Sequence, residues 1–187
     1  MADDRQLLEN YAQRGDVASL TALAVAHSRW LQALLRGLLP SEEDAEDAVQ
    51  ETWLRVIRNA ASYRGGNVRA YLARIARSVA VDRFRKSGQP LVPLDAPTSS
   101  GETLGETIAD GAPAPDAAFE TLATSAEVRA RVRSLPRPQR DVLLLRLEGE
   151  LTFREIAEQL GIPLGTALTW MRTATETLRH QLAKKHD

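Results

Sequence analysis

The chain contains 187 residues, of which 43% are hydrophobic, and its 24 basic and 25 acidic side chains leave a net charge of −1. This length allows one large or two small domains, and the near-neutral balance excludes a polycation that coats DNA by charge alone. Because the chain has no cysteine, disulfides, thiolate metal sites and cysteine nucleophiles are excluded. No apolar run approaches the roughly 20 residues that a bilayer requires, and the first residues lack the apolar segment of a secretory signal. We therefore expect a cytoplasmic protein without membrane insertion.

Helical periodicity recurs along the chain, and the alternation typical of strands is almost absent. This pattern predicts an all-α fold with two small helical domains, residues 1–86 and 116–187. The predicted helices cover residues 4–14, 17–38, 42–60, 67–86, 116–134, 137–148, 153–160 and 164–183. Residues 87–115 are rich in Pro, Gly, Ser, Thr and Asp and contain no Lys or Arg, so they are predicted to form a flexible acidic linker.

The segment 152–183 has the pattern of a helix-turn-helix. Thr152 and Glu155 have the spacing of a capping box, in which each residue satisfies a backbone N–H of the other at the start of a helix. Gly161 favours the left-handed conformation that ends this helix, and Pro163 suits the first turn of the next. A short turn of this kind leaves the second helix accessible to a major groove, so the C-terminal domain is predicted to bind DNA.

The helix at 42–60 is predicted to have one buried and one acidic face. Apolar residues with helical spacing form the buried face: Ala45, Val49, Trp53, Val56, Ile57 and Ala60. The carboxylates of Asp44, Asp47 and Glu51 lie on the opposite face. Taken alone, such a face is most simply a solvated surface.

The helix at 67–86 is predicted to have a basic outer face. Val68, Leu72, Ile75 and Val79 form its buried stripe, and Arg69, Arg74, Arg77 and Arg85 project from the other side. Guanidinium groups repeated along one face suit phosphates, although a solvated basic surface is the alternative. The preceding stretch Tyr63–Asn67 combines an aromatic ring, a cation and flexible backbone, which suits contact with unstacked bases.

The chain resembles the extracytoplasmic-function (ECF) sigma factors of bacterial RNA polymerase in two stretches, DAEDAVQETWLRVIRNAASYRGGNVRAYLARIARSVAVDRFRK and LPRPQRDVLLLRLEGELTFREIAEQLGIPLGTALTWMRTA. The resemblance covers nearly the whole chain. It implies a dissociable specificity subunit without catalytic activity, which binds core RNA polymerase, recognises the −35 and −10 promoter elements and promotes DNA melting. It also implies that the first domain binds the polymerase clamp and the −10 element, and the second the polymerase flap and the −35 element. The linker would extend toward the active centre and the RNA exit path.

The resemblance assigns residues to each contact. The polymerase clamp is expected to bind Asp44, Asp47, Gln50, Glu51 and Leu54. The −10 element is expected to contact Ser62, Tyr63, Arg64, Asn67, Arg69, Arg74, Arg77 and Arg85, with the loop capturing a flipped base. For the −35 element we predict contacts from Arg154 and from the exposed side of the second helix, namely Thr166, Thr169, Trp170, Arg172 and Thr173.

The recognition helix departs from the family pattern Gly-Thr-Val-Lys-Ser-Arg. Residues 165–170 read Gly-Thr-Ala-Leu-Thr-Trp, so two cations are missing. The buried stripe of this helix is predicted to contain Leu164, Ala167, Met171, Ala174, Leu178 and Leu182. Trp170 is then expected on the exposed side, as a base contact, a protein contact or a cover for the edge of the core.

Two other functions fit parts of the sequence. One is a sigma-like protein that sequesters an anti-sigma factor, and the other is a simple helix-turn-helix regulator that uses residues 152–183. For a sigma factor, the inducing signal, the target promoters and regulation by an anti-sigma factor stay open at the level of sequence. No metal, cofactor or catalytic site is predicted, because His27, His180 and His186 lack ligand spacing and are expected at the surface.

Overall fold

The computed structural model describes residues 3–86 and 126–183. The predicted linker, the first part of the predicted helix at 116–134 and the C-terminal residues from Lys184, including His186, lie outside the described residues. All regular elements in the described ranges are helical, and they fall into two compact units. The predicted all-α class is confirmed.

The first unit is built from α-helices that begin at polar caps. Its elements are α1 (Asp4–Arg14), α2 (Val17–Leu38), α3 (Glu42–Asn59), a 3-10 turn (Ala60–Ser62) and α4 (Val68–Lys86). The side chains of the residues that precede α1, α2 and α3 each accept a hydrogen bond from a backbone N–H of the first turn: Asp3, Asp16 and Ser41. Gly15, with φ +67°, ends α1, so these helix boundaries follow from local sequence.

Helix α2 lies at the centre of the first unit, where it contacts α1, α3 and α4. Its leucines Leu31, Leu34 and Leu35 are fully buried. Burial of each such side chain contributes about 2 kcal/mol, so this leucine cluster supplies much of the unit's stability.

The buried face of α3 is rotated from the predicted one. Ile57, which was expected in the core, is 41% exposed, whereas Thr52 is fully buried. The hydroxyl of Thr52 donates to the carbonyl of Ala48 (2.7 Å), so its burial leaves no donor unsatisfied. Small residues on this face, Ala45 and Ala48, allow α3 to approach its neighbours closely.

His27 is buried, which contradicts the expectation that the histidines lie at the surface. The indole N–H of Trp30 donates to its Nδ1 (2.7 Å), and its Nε2 lies 2.9 Å from a carboxylate oxygen of Asp4. Because Nδ1 accepts, the ring proton lies on Nε2 and is donated to Asp4. Both ring nitrogens therefore have partners, and His27 joins α1 to α2. His180 is exposed, as expected.

The second unit contains the predicted helix-turn-helix. Its elements are α5 (Ala126–Ser134), α6 (Arg137–Leu147), α7 (Phe153–Leu160) and α8 (Leu164–Ala183). The capping box is formed at the start of α7: Glu155 N–H donates to Thr152 Oγ1 (3.2 Å), and Thr152 N–H donates to Glu155 Oε2 (2.8 Å). Gly161 has φ +68° and ends α7, so a short turn leads into α8.

Two side chains of α8 occupy positions opposite to those predicted. Trp170 is only 6% exposed, and Leu164, which was expected in the core, is 40% exposed. Trp170 lies three residues after Ala167 and four before Ala174, which are both fully buried. These small neighbours leave room for the indole ring beside them, and burial of so large a ring is strongly favourable.

Within residues 3–86 and 126–183, no helix combines the length and the apolar composition needed to cross a bilayer.

Candidate nucleic-acid interface

The outer side of α3 carries the residues expected to dock on polymerase. Asp47, Gln50 and Leu54 are exposed, and Asp44 and Glu51 are half-buried. The side chain of Asp44 also accepts a 2.6 Å hydrogen bond from the cap Ser41. The structure thus brings the five predicted residues together on one helix, where carboxylates lie toward its N-terminal end and an apolar side chain toward its C-terminal end.

Arg55 holds the carboxylate of Glu51 in place. Its Nε donates to Glu51 Oε1 (2.9 Å), and its Nη1 donates to Asp82 Oδ2 on α4 (2.8 Å). The hydrogen bond from Arg55 holds the pKa of Glu51 below its ordinary value, so Glu51 is ionised at neutral pH. Sequence analysis missed Arg55, although its position four residues after Glu51 is a signal for an ion pair on a helix.

Arg83 approaches the other two carboxylates. Its Nη1 lies 3.7 Å from Asp44 Oδ1 and 3.7 Å from Asp47 Oδ2. Sequence analysis also missed this contact, because it joins α4 to α3 and the spacing of residues along one helix does not indicate it.

Hydrogen bonds within the loop between α3 and α4 fix its shape. Three side chains donate to nearby backbone carbonyls: Ser62 to Asn59 at the end of α3 (2.7 Å), Tyr63 to Gly66 (2.7 Å) and Arg64 to Ala61 (2.8 Å). The half-buried ring of Tyr63 packs edge-on against Tyr71, with 5.2 Å between ring centroids. Gly65 and Gly66 have φ near +90°, which favours glycine at both positions.

Asn67 directly precedes helix α4, and its side chain accepts hydrogen bonds from the N–H groups of Arg69 (2.9 Å) and Ala70 (3.3 Å). Asn67 is therefore the N-cap of α4. Its side-chain oxygen is therefore occupied in the folded protein.

The four predicted arginines of α4 differ in exposure. Arg74 and Arg85 are exposed, and Arg69 and Arg77 are half-buried. The guanidinium of Arg69 lies 5.0 Å from the centroid of the Trp30 ring, and that of Arg74 lies 5.7 Å from the Tyr71 ring. Stacking on aromatic faces orients these cations without neutralising them.

The exposed edge of the helix-turn-helix is mainly threonine and arginine. Arg154 and Arg172 are exposed, Thr166, Thr169 and Thr173 are half-buried, and Trp170 is not part of this edge. The hydroxyl of Thr169 donates to Gly165 O (2.9 Å), and that of Thr173 donates to Thr169 O (3.0 Å). Because each hydroxyl has one proton, these two oxygens can only accept hydrogen bonds from a ligand.

Comparison with known proteins identifies the family. The model of Sigma-70 region 2 matches residues 23–89, and that of Sigma-70 region 4 matches residues 125–178. The chain is 31% identical over 174 residues to the ECF RNA polymerase sigma factor SigW of Bacillus subtilis, an alignment that covers 91% of this chain and 92% of SigW. The chain belongs to the ECF sigma factors. It is 31% identical over 161 residues to the ferric citrate uptake sigma factor FecI of Escherichia coli, with 85% and 89% of the two chains covered.

Solved structures share the fold of this sigma factor. CnrH in complex with the cytosolic domain of CnrY matches with a TM-score of 0.69 and 19% identity, over 97% of this chain and 99% of that chain. RpoE of Bartonella quintana, in complex with the anti-sigma factor NepR, matches with a TM-score of 0.65 and 18% identity, over 87% and 96%. At these identities the likeness concerns the fold. Family membership makes the chain an alternative sigma factor, which directs RNA polymerase to promoter DNA.

Proposed function

We propose that each unit of this sigma factor has a separate binding task. The first unit docks on core RNA polymerase through the outer face of α3 and holds melted −10 DNA with the loop 62–67 and the arginines of α4. The second unit contacts the −35 element through the exposed edge of α8 together with Arg154. The protein would carry out these tasks in the cytoplasm, where bacterial transcription takes place.

The charge of α3 supports the docking assignment. Asp44, Asp47 and Glu51 face outward beside the exposed apolar side chain of Leu54. Such a surface suits a basic partner with an apolar patch, because opposite charges increase the rate of encounter while the apolar contact slows dissociation.

The arginines of α4 support the −10 assignment. Arg74 and Arg85 are exposed cations on the helix that begins directly after the ordered loop. Phosphate contacts from arginine supply affinity for any sequence, and the loop beside them offers a site for an unpaired base.

The exposed edge of α8 supports the −35 assignment, although few of its residues can contact DNA. Thr169 and Thr173 offer acceptor oxygens, Thr166 is a further half-buried threonine of this edge, and Arg172 supplies an exposed cation. The burial of Trp170 removes the argument for a base contact by this residue, so we leave it out of the proposed edge.

Transcription with purified core polymerase tests the proposal. The wild-type chain should start RNA at a defined site downstream of a −35/−10 promoter pair. The double variant Asp47→Lys/Glu51→Lys should lose this activity and should no longer retain core polymerase in a pull-down. Asp47 is exposed, but Glu51 is half-buried and accepts a hydrogen bond from Arg55. Its reversal also removes this ion pair, so we expect the free energy of unfolding to fall by about 1 kcal/mol, which is too little to unfold the unit.

The control is Gln6→Lys/Gln13→Lys, which adds positive charge at two exposed residues of α1 in the same unit, outside the α3 surface. This control should keep core-polymerase binding. Unchanged affinity of the α3 variant would contradict the docking assignment.

A further inference from the structure

We propose that Arg83 is an internal competitor for the docking surface. In the free protein it screens the carboxylates of Asp44 and Asp47, and the basic surface of core polymerase must displace it when the two proteins bind. This inference rests on the proposed docking role of α3.

The position of Arg83 suits a competitor. It lies on α4 and reaches across to α3, where one guanidinium nitrogen lies 3.7 Å from an oxygen of each carboxylate. These distances allow Coulomb attraction but exceed the 2.7–3.2 Å range that is typical of N–H···O hydrogen bonds. The cation is therefore held without directional bonds, and exchange for another cation breaks none.

Arg55 provides a contrast within the same surface. It makes hydrogen bonds of 2.9 Å to Glu51 and 2.8 Å to Asp82. Charge-assisted hydrogen bonds of this length are roughly twice as strong as neutral ones, so Arg55 fixes Glu51 in place. Of these two arginines, Arg83 is therefore the one that a partner can displace more easily.

Solvent reaches the contact between Arg83 and its carboxylates. Residues of α3 and of the C-terminal part of α4 line a cleft of about 450 Å³, and its charged lining consists of Asp44, Glu51, Arg55, Asp82, Arg83 and Lys86. The side chains of Arg83, Asp44 and Asp47 are 30%, 44% and 58% exposed. Ion pairs of this exposure contribute little stability, so an incoming cation can replace Arg83 at small cost.

The docking surface therefore binds a basic partner less tightly than its carboxylates alone would. Arg83 offsets part of the negative charge that attracts a basic partner, which lowers the rate of encounter and the affinity. Removal of Arg83 should therefore tighten binding, a direction that damage to the fold would not produce.

The test measures the affinity of the full chain for core polymerase in the absence of DNA. Arg83→Gln should bind about two- to fivefold more tightly than wild type. The gain should shrink as salt rises, because added ions screen exposed charges. Arg29→Gln, which removes the same charge from an exposed position on α2, should leave the affinity unchanged.

A variant with neutral side chains at the docking surface separates this inference from the docking proposal, when Arg83→Gln is measured in it as well as in the wild type. Asp44→Asn/Asp47→Asn keeps the shape of both side chains, should weaken docking, and should abolish the gain from Arg83→Gln. If this double variant binds like wild type, the docking assignment is itself wrong. If it binds weakly, but Arg83→Gln gives no gain in the wild-type background or the same gain in both, the role of Arg83 is overturned while the docking assignment stands.

Discussion

Tyr63 combines a structural contact with a proposed DNA contact. Its hydroxyl closes the loop by donating to Gly66, and its ring packs edge-on against Tyr71 while remaining half-buried. A substitution to alanine removes both the hydrogen bond and the ring, whereas phenylalanine removes only the hydrogen bond.

We expect Tyr63→Ala to reduce open-complex formation about five- to hundredfold, because stacking of one base on an aromatic ring contributes roughly 1–3 kcal/mol. Tyr63→Phe should lose less. Promoter DNA that is melted in advance should rescue much of the alanine defect in a transcription assay. Lack of rescue would show that the loop does not act in melting.

His27 makes the stability of the first unit depend on pH. Burial lowers the pKa of His27 below its ordinary value of 6.5, against the opposing effect of Asp4. The unfolded chain therefore takes up this proton at a higher pH than the folded protein does. The resulting stability is fully present above about pH 6.5 and is lost as the pH falls from there through the lower pKa of the folded state.

As the pH falls below about 6.5, we expect the free energy of unfolding to fall more steeply in the wild type than in His27→Gln. One proton contributes at most about 1.4 kcal/mol per pH unit. Urea unfolding at several pH values measures both slopes, and only the slopes are compared, since the substitution also removes packing. Equal slopes would contradict the assignment of a buried neutral histidine.

At the scale of elements, the helix-turn-helix contains two glycines in different environments, one at the end of α7 and one in the first turn of α8. Gly161 ends α7 with φ +68°, a conformation that costs other residues roughly 1–2 kcal/mol. Gly165 lies in the first turn of α8, and a Cβ there would meet no atom within 4 Å.

Alanine substitutions at the two glycines should therefore have opposite effects. Gly161→Ala should lower the free energy of unfolding by about 1 kcal/mol, whereas Gly165→Ala should raise it by about 0.5 kcal/mol because alanine favours the helix. Thermal unfolding followed by circular dichroism measures both. A loss of stability at Gly165 would show that the start of α8 is not helical in solution.

The helix boundaries could be predicted because caps are local. Thr152 and Gly161 bound α7 where the sequence signals indicate, and α1 has the predicted bounds, residues 4–14. The face that each helix buries was harder to predict, because helical periodicity allows either Trp170 or Met171 on the buried face that contains Ala167. The choice depends on side chains of other helices, which no single segment of sequence contains.

In the candidate site, too, features within one helix could be predicted, whereas contacts between helices could not. The polymerase contacts that the resemblance implies fall together on α3, where helical spacing had already placed three of them on one acidic face. The contact of Arg83 with Asp44 could not be predicted, because it depends on how α4 packs against α3. His27 was placed wrongly for the same reason, since its burial depends on partners from α1 and α2.

At the scale of the molecule, cations are distributed unequally between the two proposed DNA-binding surfaces. The reading edge proposed for the second unit presents Arg154 and Arg172, whereas α4 alone carries four predicted arginine contacts. Each neutralised phosphate contributes about −0.9 to the slope of log affinity against log salt concentration.

We expect the full chain to bind a duplex that carries only the −35 element with a shallow slope of about −2. Arg172→Gln should reduce this slope by about half, and the exposed control Arg29→Gln should leave it unchanged. A salt titration by fluorescence anisotropy measures all three. A slope much steeper than −2 would show that cations beyond this edge, such as Arg179, contact phosphates.

The ordered loop between α3 and α4 has a consequence for the thermodynamics of promoter opening. The side chains of Ser62, Tyr63 and Arg64 already donate hydrogen bonds to nearby backbone carbonyls, and Asn67 already caps α4. Fixing a residue's backbone costs about 1–2 kcal/mol in conformational entropy. For this loop that cost falls on the folding of the protein. If the loop binds an unpaired base as proposed, the base meets a preorganised site, and its binding free energy is not reduced by ordering the protein around it.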